Sequence, residues 1–484
     1  MARKRLILRC RFVSYFFIIT VKNIQGGIRE MLIKTRRDFF KAALTSVGAL
    51  GALGKFGEMN ALASSSAPYQ ALVCIFLAGG NDAHNMVIPI ATAKQSYGLY
   101  AQGRQSLALP QAGLQTIHDG SDVYGLHPLM PEMAALYGAG NAAIVANVGM
   151  LLQPKNNKQY FQTQNLAQLP TQLFSHSDQT SQWQAAIPNG NASTGWGGRL
   201  EDSLLSQYNS GASFTPVTST GGCGLFCTGN QTFAATVPVG GASLLQGAST
   251  PSRLAAVQQL MSFDNGLKLV TADNAIFNRG VGFSTALTNA LKTAKVNTVF
   301  PSTLIGQQLQ TVAQIMSIRS QLGIGRQVFF CQLGGFDTHS SQEGTQDPLL
   351  QQLSQAVAAF YTATQEVGTD TLTTTFTASE FGRTLQPNGD AGTDHAWGSH
   401  HFVIGTGANN GGSLQGGKIW GQFPSLALGG ADDANTRGTL VPTTSVDQYA
   451  ATMAQWFGVS DPVALAQIFP YVGNFPTANV GFLG

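Results

Sequence analysis

Residues 71–77 read Ala-Leu-Val-Cys-Ile-Phe-Leu, without one charged or strongly polar side chain. Extended, such a run turns apolar groups to both faces, so it belongs in the middle of a sheet covered on both sides. Gly79-Gly80-Asn81-Asp82 follows at once, a turn that brings backbone and a carboxylate close to whatever binds at the strand's carboxyl end. The runs 142–148, 327–333, 373–377 and 401–405 read as further strands. Two of them exit into Gly334-Gly335-Phe336-Asp337 and Ser379-Glu380-Phe381-Gly382-Arg383. Helical spacing over 303–322 and 349–367 separates them. Strands alternating with helices predict an α/β fold: a mostly parallel central sheet, helices on both faces, ligand groups at the strands' carboxyl ends.

Composition removes several alternatives. Charged residues make up 11% of the 484, against roughly 25% in soluble domains, yet apolar residues are too frequent for disorder. The 56 glycines follow no period of three, which excludes collagen. The formal charge of +3 is unevenly placed, because residues 64–484 keep 15 basic against 21 acidic residues. That body lacks the basic footprint of a nucleic-acid binder. We read 64–484 as a single α/β domain, with 185–250 a Gly/Ser/Thr-rich insertion of loops and short strands covering the site.

Residues 1–63 read as a leader. Thr35-Arg36-Arg37-Asp38-Phe39-Phe40-Lys41 places a twin-arginine pair before an apolar run of small residues, and Ala61-Leu62-Ala63 follows. This is the layout of a Tat signal peptide with an A-x-A cleavage site. It implies passage through the Tat translocase to a periplasmic or secreted location. The apolar run 12–21 is shorter than the about 20 residues of a membrane span, so no stable span is expected in the mature chain. Met31 is the expected true start, with a second anchor upstream as the alternative.

Cys74 and Cys331 lie in apolar runs and read as inert core thiols. Cys223 and Cys227 could close a small disulfide. The chemistry gathers further along. Asp337 and His339 are two apart after a strand, a spacing that lets both face one metal. Asp394, His395 and His400 follow in Thr393-Asp394-His395-Ala396-Trp397-Gly398-Ser399-His400-His401. With Glu380 and Asp82 they make three histidines and four carboxylates at expected strand ends. Mixed ligation of this kind suits zinc, manganese or iron, and calcium if the carboxylates dominate. In Phe174-Ser175-His176-Ser177-Asp178, Ser175 or Ser177 opens a helix, where either could cap it or act as a nucleophile near an anion-binding end. Trp196, Trp397 and Trp420 are candidates for a cleft wall or for core.

Taken together, the Tat leader, Leu77-Ala78-Gly79-Gly80-Asn81-Asp82, the Ser175-His176 segment with Trp183, Gly195-Trp196-Gly197-Gly198-Arg199, Gly334-Gly335-Phe336-Asp337-Thr338-His339, Ser379-Glu380-Phe381-Gly382-Arg383-Thr384 and Thr393-Asp394-His395-Ala396-Trp397-Gly398 resemble the bacterial family named domain of unknown function 1501. That family is similar to the alkaline phosphatase and sulfatase superfamily, whose α/β sandwich holds one or two divalent metals at its strand ends. The resemblance implies Asp82 as the first-strand ligand, Asp337 and His339 as an Asp and His pair, and either His395 or His400 as the late histidine. Glu380-Phe381 stands where the superfamily usually has Asp-His, so one metal site lacks its histidine, and the expectation is a single metal or a harder ion. Ser249-Thr250-Pro251-Ser252-Arg253 matches the core of the sulfatase pentapeptide but reads as Thr-Pro opening a helix.

Three functions fit. The first is a metal-dependent hydrolase of small anionic phosphate or sulfate esters, in which Arg383 holds the anion. The second is a non-catalytic binding or export-partner protein that retains the fold. The third is a lyase or isomerase on the same metal scaffold.

Overall fold

The computed structural model describes residues 9–13, 16–22, 28–33 and, apart from 155, 156, 223, 242–249 and 263–265, residues 68–484. The chain divides into Met1–Ser65 and Ser66–Gly484. In the first unit, strands Arg9–Val13, Phe16–Lys22 and Ile28–Ile33 pair antiparallel. The twin-arginine motif, the cleavage site, Cys223 and Ser249 lie outside the described residues. Among the described residues, no helix is long and apolar enough to cross a membrane.

The second unit is built on a nine-stranded sheet. Its strands are β1 (Gln70–Ala78), β2 (Ala142–Gly149), β3 (Val217–Ser219), β4 (Ala235–Thr236), β5 (Arg326–Gly334), β6 (Thr373–Ala378), β7 (Ser399–Ile404), β8 (Ile419–Trp420) and β9 (Thr444–Ser445). They run in the order β4-β3-β5-β1-β6-β7-β2-β8, and β9 also pairs with β2. The apolar run at 71–77 is its centre, and none of those seven side chains is more than 2% exposed. β5 and β6 flank it, both parallel to it. The exception to the parallel order is β7, antiparallel to both its neighbours.

Strand alternation sends side chains to two cores. Val73, Ile75, Leu77, Phe329 and Ile144 pack under the helices Leu304–Ser317 and Gln342–Glu366. Leu72, Phe76, Phe330, Phe376 and Val403 pack under Trp196–Tyr208 and Val446–Phe457. Each fully buried aliphatic or phenyl side chain contributes roughly 1.5–3 kcal/mol. Local signals set the ends of these helices. Thr303 accepts from the Gly306 amide, and Ser445 with Gln448 closes a capping box.

The region 185–250 departs from its expected loops and short strands. β3 and β4 extend the sheet edge, but Trp196–Tyr208 is a 13-residue helix. Its opening glycines disguise it, and packing explains them. A Cβ on Gly198 would lie 2.2 Å from the Thr228 carbonyl carbon, so only glycine lets that backbone seat against the helix. A separate antiparallel sheet, Val87–Ala91, Gln115–Asp119 and Asp122–Leu126, lies outside the main one.

Candidate metal centre

The carboxyl ends of β1, β5 and β6 place three chain exits side by side. Asp337 and His339 follow β5, and Glu380 and Arg383 follow β6. At the β1 exit, Gly79 has φ +121, and a Cβ there would lie 2.3 Å from the Asp337 amide nitrogen. The two turns therefore touch backbone to backbone. Asp394 and His395 arrive on the segment that enters β7, zipped to residues 382–384 by Ala396 N–H to Gly382 O (2.8 Å), Thr384 N–H to Asp394 O (3.0 Å) and Gly382 N–H to Trp397 O (3.0 Å). His176 comes from far off, as the first residue of the helix His176–Ala185.

Three imidazoles converge on one oxygen. Asp337 Oδ1 lies 3.0 Å from His339 Nε2, 3.4 Å from His176 Nε2 and 3.5 Å from His395 Nε2. The Nε2 atoms of His339 and His395 are 2.9 Å apart. The outer nitrogens explain how the rings are aimed. His176 Nδ1 donates to Glu380 Oε1 at 2.9 Å, and the same oxygen accepts the Gly79 amide at 2.8 Å. His395 Nδ1 donates to the Phe174 carbonyl at 2.8 Å. Phe174 has φ +71, with its amide held by Gln179 Oε1. With Nδ1–H so engaged, each neutral ring carries its lone pair on Nε2, turned inward.

This donor set fits a divalent metal. His176 Nε2 is buried and has no hydrogen-bond partner. The ligand atoms of His176, Asp337 and His395 all lie within 4.8 Å of one another. His339 Nε2 and His395 Nε2, 2.9 Å apart, are held together by a shared proton or by a cation between them. Asp337 is suited to ligate as an anion. Burial opposes its ionisation, but the Arg383 hydrogen bond and charge, with His176 and His339, hold its carboxyl below the ordinary value. His395 is displaced downward, by burial first, with the Phe174 hydrogen bond opposing and Arg383 and the neighbouring rings adding to the shift.

Two of the expected site residues stand elsewhere, and a third, Arg383, is at the centre in a different role. Asp82, expected as a ligand, is 1% exposed and its carboxylate is committed to Arg104, to Gln342 Nε2 at 2.6 Å and to the His84 amide at 2.9 Å. His400, expected as a possible late histidine, is buried on β7, where Nδ1 accepts the Asn147 amide at 3.0 Å and the ring stacks on Phe423. Arg383, expected to hold an anion, is 1% exposed and spent on protein. Nε donates to Gly80 O, Nη1 to Thr393 O and Nη2 to Gly79 O and Asp337. It positions the Asp337 carboxylate.

Asp394 stands one step out, its Oδ1 3.5 Å from His339 Nδ1 and its Oδ2 2.6 Å from Arg437 Nη1. Ser175 opens the helix that carries His176, its hydroxyl donating to Asp178 Oδ2 at 2.5 Å, with Ser177 3.2 Å from the same oxygen. Trp196 and Trp397 are core, 1% exposed each, and Trp420 is half-buried. Thr250 and Pro251 do open a helix, Pro251–Met261. Cys74 and Cys331 are buried in their strands, and burial raises both thiol pKa values, Cys331 to about 12.

Residues 69–447 match the family described as Protein of unknown function (DUF1501). The chain belongs to the DUF1501 family. No curated protein matches it. Among solved structures, this DUF1501 protein is similar to the C-terminal periplasmic domain of EcEptC from Escherichia coli, at 10% identity with 86% of this chain and 87% of that one covered, TM-score 0.32. It is similar also to PsFucS1 sulfatase from Pseudoalteromonas sp., at 10% identity, 80% and 76% covered, TM-score 0.28. A variant of alkaline phosphatase PafA matches at 10% identity, 66% and 64% covered, TM-score 0.28.

Proposed function

We propose that this DUF1501 protein is a metal-dependent hydrolase of phosphate or sulfate esters, exported through the Tat translocase to the periplasm or beyond. One observation carries the reading: three imidazole Nε2 atoms and a guanidinium surround a single oxygen of Asp337, with the outer ring nitrogens of His176 and His395 already engaged. The ester class rests on the motif resemblance.

His176, Asp337, His339 and His395 are the residues that would hold the ion, and three imidazoles favour zinc, manganese or iron over calcium. When bound, a divalent ion there supplies a Lewis acid for an ester oxygen. The chain's own residues do the rest. Glu380 and the Phe174 carbonyl keep two rings turned inward, and Arg383 fixes the Asp337 carboxylate. Ser175 is the side chain we assign to attack. Its Oγ forms the bond to phosphorus or sulfur, its proton goes to Asp178, and the ester oxygen leaves with its electron pair. Water then cleaves the seryl ester, so that ester and water give alcohol and the free oxyanion.

The test is elemental analysis of mature protein purified without chelators, followed by turnover of nitrophenyl phosphate and nitrophenyl sulfate by wild type, S175A and D337A. About one equivalent of metal is expected in wild type and S175A and none in D337A, with turnover in wild type alone. A folded wild type that takes up no supplied metal overturns the reading and turns the search to binding partners.

A further inference from the structure

Residues 171–175 are strapped against the helix His176–Ala185 that they precede. At the base of the strap the Thr171 carbonyl accepts Gln182 Nε2 at 2.6 Å, and the Thr171 amide donates to Pro188 O at 3.1 Å. At its tip the Phe174 amide donates to Gln179 Oε1 at 2.8 Å. Between them the Ser175 amide closes on Gln172 O at 3.1 Å, and Gln172 and Phe174 have φ +52 and +71. A residue with a Cβ resists that conformation. It persists where the surroundings over-determine it, and such residues cluster at functional sites.

The contacts around Phe174 divide the work. Its ring packs edge-on to Phe161, centroids 5.9 Å apart, which holds the side chain without orienting the peptide. Gln179 supplies the orientation. It lies three residues after His176, on the same face of the helix, and is 1% exposed. Its carboxamide must meet the Phe174 N–H with oxygen, because an N–H needs an acceptor. That leaves Gln179 Nε2 buried with no partner. An unmet buried donor is costly, so the bond made by the oxygen is what an amide contributes here. That bond sets the direction of the Phe174 carbonyl, which accepts His395 Nδ1 at 2.8 Å.

We propose that Gln179 is a positioning residue of the centre: acting through the Phe174 peptide, it fixes which nitrogen of His395 carries the proton and leaves Nε2 for the ion. The inference rests on the metal-centre reading above and adds to it a residue on which one ring depends and another does not. His176 Nδ1 is held by Glu380, so its tautomer is independent of the strap.

The experiment compares wild type, Q179M, Q179E and Q182M as full mature chains. Zinc affinity is measured by competition with a chelating indicator. In the metal-free chains, nitrogen NMR of isotope-labelled histidine reports the tautomers of His395 and His176, each assigned by its absence in H395A or H176A. Wild type should carry the proton of His395 on Nδ1. Q179M, close to glutamine in length but without an acceptor, should populate the Nε2–H form of His395, leave His176 alone and bind zinc roughly 10–100-fold more weakly, with circular dichroism unchanged. Q179E keeps an acceptor for the Phe174 amide and should restore both readouts. Q182M loosens the base of the strap, where the Pro188 bond remains, and should match wild type in both. Wild-type zinc affinity or an unaltered His395 tautomer in Q179M overturns this inference, as does an equal loss in Q182M, while a zinc-loaded wild type upholds the metal centre. Failure of the wild type to take up zinc overturns both.

Discussion

Six histidines of this DUF1501 protein divide into two triplets with opposite surroundings. His176, His339 and His395 sit where three strands end, partly exposed, against Asp337, Glu380 and Asp394. His84, His400 and His401 are at most 4% exposed. Burial depresses all three, His84 to about 4, His401 to about 3, and His400 well below its ordinary value. His401 has neither ring nitrogen bonded and lies between Trp183 and Tyr449, as a phenyl ring would. Residue type therefore says little by itself. An engaged outer nitrogen and an inward Nε2 suit His176 and His395 to a metal, whereas an aromatic sandwich makes His401 part of the core.

The largest effects break the comparison outright. Asp337→Ala and His395→Ala should lower metal affinity by at least about 100-fold while the fold stands, because each removes a donor rather than a packing group. His400→Ala should do the reverse, keeping metal in every folded molecule but costing about 2–3 kcal/mol in a urea titration. Metal loss in His400→Ala with full stability would merge the two triplets. Next in size is Glu380→Gln. The amide oxygen can still accept from Gly79 or His176, but without the charge, so affinity should fall about 10–100-fold. Unchanged affinity would mean that Glu380 serves the fold alone.

The strand exits were legible because their signals are local: an apolar run, a glycine pair or a short polar turn, then an acid. The sheet followed, and with it the gathering of Asp337, His339, Glu380 and His395 beyond its strand ends. His176 was not legible as a member of the cluster, since its partners lie more than 150 residues away in the chain and only its place beside Ser175 marked it. Asp82 carried the right local pattern and the wrong partner. Arg104 closes the helix Tyr97–Arg104, and folding sends it to Asp82. His395 and His400 look equivalent in the sequence, five residues apart. Between them the chain passes from a loop into β7 at Ser399, which turns the later histidines into the sheet's interior. Tertiary pairing decided these cases, and no spacing rule encodes it.

The smallest effect probes the buried triplet through pH. His401 is pushed down to about 3 by burial alone, against an unfolded value near 6.5. Between those two values the unfolded chain binds a proton that the folded chain refuses, so stability rises with pH across that window. The contribution is fully present above about pH 6.5 and is lost as pH falls toward 3, at about 1.4 kcal/mol per pH unit for one such group. Urea titrations of wild type at pH 7, 6, 5 and 4 should show this loss, steepened by His84 and His400 acting in the same direction. His401→Phe keeps the ring between Trp183 and Tyr449 and removes the proton site, so it should flatten the slope by about 1.4 kcal/mol per pH unit below pH 6. An unaltered slope would mean that His401 titrates in the folded protein as it does in water, and the boundary between ligand and core histidines would have to be drawn without it.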